Sequence, residues 1–108
     1  MAQKGVWLST QPFLDDEDHI PMPPGSAGEA RYKEVAAGTD RVYTLAKKYG
    51  VETAFGTDML QNANAVERIP YYLPKLARWY TPAEALKMAT ADNAELLAMS
   101  GPRNPYSV

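Results

Sequence analysis

The stretch Val51-Glu52-Thr53-Ala54-Phe55-Gly56-Thr57-Asp58 constrains the fold of this chain more than any other. Val51, Thr53 and Phe55 have the β-branched or aromatic character that strands favour. Gly50 stops a helix just before them, and Gly56 lets the backbone turn sharply just after. A second apolar run, Val6-Trp7-Leu8-Ser9-Thr10, lies between Gly5 and Pro12. It does not alternate cleanly, which suits a strand covered on both faces, as in a parallel sheet. Strand, loop, helix, strand is a βαβ unit, so strands at about 6–10 and 51–55 are expected to lie parallel.

Thr57 and Asp58 then fall just past a strand's C-terminal tip. In parallel α/β folds that tip is where ligands bind and catalytic residues gather. An aspartate there can ligate a metal, act as a general base, or cap the next helix. Gln11 leaves the first strand at the same end and is a candidate substrate neighbour.

The crossover helix opens at Ser26 or Gly28 and covers about 29–49. Val35, Val42, Leu45, Ala46 and Tyr49 recur at three-to-four spacing and predict its buried face. Lys47 and Lys48 suit the negative end of the helix dipole, and Gly50 is the expected C′ residue. Gly38-Thr39 lowers helix propensity and suggests close packing against a neighbour. Residues 59–67 read as a loop. Further helices are expected at about 71–80, 82–89 and 92–99. Thr81-Pro82-Ala83-Glu84 is a strong start, with Thr81 as N-cap, Pro82 at N1 and Glu84 completing a capping box. Thr90-Ala91-Asp92-Asn93 reads as another start, and Gly101-Pro102 as a stop. The Met and Leu stripe of these helices reads as core.

Residues 14–28 form a long loop, with Asp15-Asp16-Glu17-Asp18 followed by Pro21, Pro23 and Pro24. The prolines exclude a helix or central strand there. The acids beside His19 match no calcium loop, because the glycine and distal glutamate are missing. A solvated loop is expected, and a loop of this length in a small domain is often a lid or substrate loop.

A chain of 108 residues suffices for one small domain. Its net charge of −2, with no basic run, argues against nucleic-acid or membrane-surface binding. There is no signal-peptide pattern at Met1-Ala2-Gln3-Lys4-Gly5 and no run of about 18 apolar residues. With no cysteine there is no disulfide, thiolate zinc site or cysteine nucleophile, which fits a cytoplasmic setting. A single histidine, His19, cannot supply the set of about three ligands that a catalytic zinc usually takes.

Phe55-Gly56-Thr57-Asp58, the block from Trp79-Tyr80-Thr81-Pro82-Ala83-Glu84-Ala85-Leu86 to Ala89-Thr90, and Asn93-Ala94-Glu95-Leu96-Leu97 together resemble the metal-dependent amidohydrolase family. The similarity is to the branch of imidazolonepropionase-like enzymes, Xaa-Pro dipeptidases and zinc carboxypeptidases. It extends from Lys4-Gly5-Val6 to the tail Ser100-Gly101-Pro102-Arg103-Asn104-Pro105-Tyr106. The resemblance implies a (β/α)₈ barrel, with 6–10 as its seventh strand and 51–55 as its eighth. Residues 1–108 then form a single partial domain, the last βαβα portion of the barrel. Asp58 matches the family's aspartate after the eighth strand, a ligand of zinc or another divalent metal that also shuttles a proton to the leaving group. The histidines and the lysine or acid that the family carries on earlier strands have no counterpart here, and His19 matches none of them. The implied activity is hydrolysis of an amide or peptide C–N bond in the complete enzyme, the chain alone being inactive. The expected partners are the missing barrel portion or further copies of the chain. The competing expectation is a small non-enzymatic module that associates through exposed apolar faces.

Overall fold

The computed structural model describes residues 1–19, 21–59 and 66–104. Two short strands, β1 (Leu8–Thr10) and β2 (Thr53–Phe55), pair in parallel with Leu8 opposite Thr53, Ser9 opposite Ala54 and Thr10 opposite Phe55. Helix α1 (Ala27–Tyr49) connects them. The protein is therefore mixed α/β, with a βαβ unit at its centre. Both strands are shorter than the apolar runs that announce them. The Val51 N–H turns back to the Ala46 carbonyl, so β2 begins only after the helix end is closed. The Leu8 N–H donates to the Glu52 carbonyl (2.8 Å), and Val6 lies outside the ladder, exposed. Thr53 and Ala54 are buried as expected of a covered strand, whereas Ser9 is exposed. β1 is thus not covered on both faces.

Local signals set the ends of α1. The Ser26 hydroxyl accepts the Glu29 N–H (3.1 Å), and Gly50 adopts φ 59°, donating its N–H to the Ala46 and Lys47 carbonyls. The inward face is only partly the expected one: Ala46 is buried and Val42 packs against the core, as expected. Ala36, Thr39, Tyr43 and Ala46 are buried, while Val35, Leu45 and Tyr49 are 44, 43 and 62% exposed. The buried stripe has the same helical spacing but contains two hydroxyl-bearing residues. Both satisfy their polar atoms: Thr39 Oγ1 donates to the Val35 carbonyl, and Tyr43 Oη donates to the Thr10 carbonyl (3.0 Å each). Small side chains at 36, 39 and 46 let the helix approach, and one large ring at 43 fills the space. Gly38 is exposed and a Cβ there would touch nothing, so it does not mark a close approach.

Tyr43 is the centre of the core, with Leu76, Ala85 and Met88. Trp79 stacks on it at 4.5 Å between ring centroids, and Tyr80 meets it edge-on at 6.1 Å. These partners come from the helical second half. Helix α2 (Ile69–Lys75) accommodates Pro70 in its first turn and also contains Pro74. It passes into a 3-10 turn, Leu76–Arg78. The helix expected at 71–80 therefore begins and ends earlier. Pro74 lacks the N–H an α-helix interior uses, which is consistent with tightening after it. Val66 and Glu67, read as loop, are helical; residues 60–65 of that segment, and the tail residues 105–108, lie outside the described residues.

Helix α3 (Pro82–Lys87) starts on the expected capping box: Thr81 Oγ1 accepts the Glu84 N–H and Glu84 Oε2 accepts the Thr81 N–H (2.7 Å). A π turn, Met88–Asp92, then joins it to α4 (Asn93–Ala98). The second helix start expected at Thr90 is thus absent, and the chain runs helically from Pro82 to Ala98. No helix among the described residues is long and apolar enough to cross a membrane.

Candidate functional site

The parallel register brings Gln11 and Gly56 to the same end of the sheet, one step beyond the Thr10–Phe55 pair. Gln11 begins a tight turn in which its carbonyl accepts the Phe13 N–H (2.9 Å), and Pro12 between them is fully buried. Asp58 follows Gly56 and Thr57. It has φ 53°, the only non-glycine residue at positive φ among those described. Its carboxyl group is exposed, while the next side chain, Met59, is buried. Left-handed backbone is unfavourable for most side chains, though aspartate tolerates it better than most. The turn thus seats Met59 inward and leaves the acid facing outward. Asp58 makes no ion pair among the described residues.

The C-terminal end of β2 is fixed by one side chain. Asn93 Oδ1 accepts the Phe55 N–H and Asn93 Nδ2 donates to the Phe55 carbonyl, both at 2.9 Å. The amide satisfies a strand residue just as a neighbouring strand would. It thereby holds Phe55, three residues before Asp58, in place.

The acidic loop is not simply solvated. Asp18 is 6% exposed at its side chain and Lys75 9%. Lys75 Nζ lies 2.7 Å from Asp16 Oδ2 and 2.6 Å from Asp18 Oδ2, and Arg68 Nε lies 2.6 Å from Asp18 Oδ1. Glu17 sits farther from Arg68, at 3.6 Å. The hydrogen bond from Arg68, with help from Lys75, holds the Asp18 carboxyl below its ordinary range despite burial. Burial pulls the Lys75 ammonium down, but its hydrogen bonds to Asp16 and Asp18 outweigh this and raise it. Lys75 also lies 4.4 Å from the Tyr72 ring centroid. His19 packs edge-on against Tyr32 (4.3 Å) and lies 3.8 Å from Asp15. Two cations of the α2 segment thus neutralise the acids that a metal would have needed. Sequence reading missed this ladder; its only trace is that Arg68 and Lys75 stand seven apart, on one face of a helix.

Among the described residues, no group of three or more His, Asp or Glu side chains converges as a metal site. Asp58 is a single donor with no second ligand beside it, so the described residues do not by themselves fit a zinc or other divalent metal. No family model matches the chain, and neither the curated proteins nor the solved structures contain a match to it.

Proposed function

We propose that this chain is the closing βαβα portion of a metal-dependent amidohydrolase barrel, with β1 and β2 as its seventh and eighth strands. The reaction is hydrolysis of an amide or peptide C–N bond. Asp58 is the residue assigned to it, as metal ligand and proton carrier, and Gln11 is a substrate neighbour. The observation that carries this reading is the position of Asp58: exposed, in left-handed backbone, at the C-terminal tip of the second of two parallel strands. Non-glycine residues in left-handed backbone cluster at functional sites, and Asp58 makes no ion pair among the described residues. A divalent metal in such a site would lower the pKa of a bound water and polarise the scissile carbonyl. The remaining ligands must come from outside the described residues, so activity belongs to an assembly and not to the chain alone.

The test is to measure zinc by plasma emission and mass by light scattering on the same chromatographic fractions. Near-stoichiometric zinc in an assembly, lost in Asp58→Asn, supports the assignment. Zinc that Asp58→Asn leaves in place, or its absence from every assembly, overturns it.

A second reading is a non-enzymatic module that associates through its apolar surface. The exposed Val35, Leu45 and Tyr49 of α1 favour it, together with an apolar groove of about 480 Å³ where Leu45 and Tyr49 meet Met1 and Leu8. Under either reading the chain associates, with further copies of itself or with a separate partner.

A further inference from the structure

We infer that residues 14–19 form a strap, clipped shut by the Asp16–Lys75–Asp18–Arg68 ladder, that can be released without unfolding the βαβ unit. The strap leaves the C-terminal end of β1 through the buried Pro12, and its first residue is pinned to α1, where Tyr32 Oη donates to the Leu14 carbonyl (2.9 Å). Its far part is held to the α2 segment by charge, with Lys75 bridging Asp16 and Asp18 and Arg68 taking the second oxygen of Asp18, while His19 at its end packs edge-on against Tyr32 of α1. Within the strap, the Asp18 N–H donates to Asp16 Oδ1 and the His19 N–H to the Asp16 carbonyl (3.0 Å each). Both Asp16 oxygens also face Lys75, so the local turn and the clip share one carboxylate.

Three features make the clip releasable. The strap brings no residue into the buried cluster of Tyr43, Leu76, Ala85 and Met88. The ladder joins segments 50 to 59 residues apart in the chain, so no local helix or strand re-forms it. An intact buried ion pair also contributes little net stability, since its attraction roughly offsets its desolvation. The clip therefore ties the segment that follows Gln11 to Arg68 and Lys75, beyond β2 in the chain. Closed, it holds these two segments together; open, it frees the strap beyond Leu14, which Tyr32 still holds.

Amide hydrogen exchange on the full chain tests this without reference to metal or turnover. The variants are Lys75→Met and the double variant Asp16→Asn/Asp18→Asn. Lys47→Met, which breaks the exposed pair with Glu84, is the control. The expected result is at least tenfold faster exchange at the Asp18 and His19 amides in both clip variants, with α1 and β2 amides unchanged and no effect in the control. Unchanged exchange at Asp18 and His19 would overturn the proposal. So would faster exchange throughout α1 and β2 in both variants, because the ladder would then be part of the core and not a clip.

Discussion

Asn93 stands in for a third strand at Phe55: its side-chain amide gives and takes one hydrogen bond each with the Phe55 backbone, at 2.9 Å. A sheet of two strands exposes edges on both sides, and here one residue of one edge is closed by a side chain from the helical half. The relationship couples the two halves of the chain at the residue that leads into Gly56-Thr57-Asp58.

Replacing Asn93 by alanine is expected to cost about 1–3 kcal/mol, because it leaves a half-buried N–H and C=O unpaired. Asn93→Asp should cost at least as much, since a carboxylate faces the Phe55 carbonyl where a donor had been. Urea unfolding measures both. A loss below about 0.5 kcal/mol would mean that water replaces the amide at no penalty.

Tyr43 gives a prediction with a pH sign. Burial pushes its hydroxyl well above the ordinary value of 10.0. The folded state therefore keeps the proton longer than the unfolded chain. Its contribution is full below pH 10 and is lost as pH rises past it, because the unfolded state then holds fewer protons. Burial raises Tyr72 and Tyr80 as well, so titration followed by ultraviolet absorbance should show Tyr43 among the tyrosines that ionise late, as the protein unfolds. Tyr43→Phe should take one tyrosine out of that late step and cost about 1 kcal/mol for the lost bond to the Thr10 carbonyl. A Tyr43 that titrates normally in the folded protein would contradict its placement.

At the acidic end the relevant group is Glu84. Its bond to Lys47, then its bonds to Thr81, hold it down to about 2 from 4.5. A carboxylate depressed in this way stabilises above the unfolded value and loses that effect as pH falls toward the folded one. The melting temperatures of the protein and of Glu84→Gln should therefore differ at pH 6 and converge near pH 2. Both groups are exposed, so added salt should also shrink the difference.

Asp58→Gly should stabilise the chain by about 1 kcal/mol, since glycine adopts positive φ without the steric penalty of a side chain. The same change should remove any metal that Asp58 holds in an assembly. Denaturant midpoints and metal analysis read the two effects separately. A stability loss on Asp58→Gly would show that the carboxylate has a structural partner.

Association is expected through the exposed apolar surface. Sedimentation of the chain at micromolar concentration should give a mass above that of the 11.9 kDa monomer. Leu45→Glu and Tyr49→Glu, on the outward side of α1, should lower that mass while leaving the fold intact. A clean monomer would count against self-association and leave a separate partner as the remaining form of either reading.

The parts of the fold legible in the sequence are those written by adjacent residues. Ser26 and Gly50 bound α1, the capping box at Thr81 and Glu84 opens α3, and the two strands pair in parallel. What was hidden depends on partners far along the chain. The inward stripe of α1 runs through Thr39 and Tyr43, whose hydroxyls look unsuited to a core until their carbonyl partners are known. The π turn hides behind a plausible helix start at Thr90-Ala91-Asp92-Asn93, because nothing local shows that the Asn93 side chain bonds the Phe55 backbone far away in the chain. At the candidate site, the sequence placed Gln11 and Asp58 at strand ends. It carried no local sign that Arg68 and Lys75 would take up the neighbouring acids.

The π turn has a consequence for inheritance. A turn of this kind holds one residue more than an α-helical turn. Losing a single codon within 88–92 would only restore regular winding, but losing one from α3, before the turn, would swing everything after it by about 100° around the axis. Asn93 would leave Phe55, and the sheet edge would open with no change in any residue's identity. In related genes, a one-residue gap in α3 should therefore separate chains with a closed edge from chains whose edge is free to take another strand.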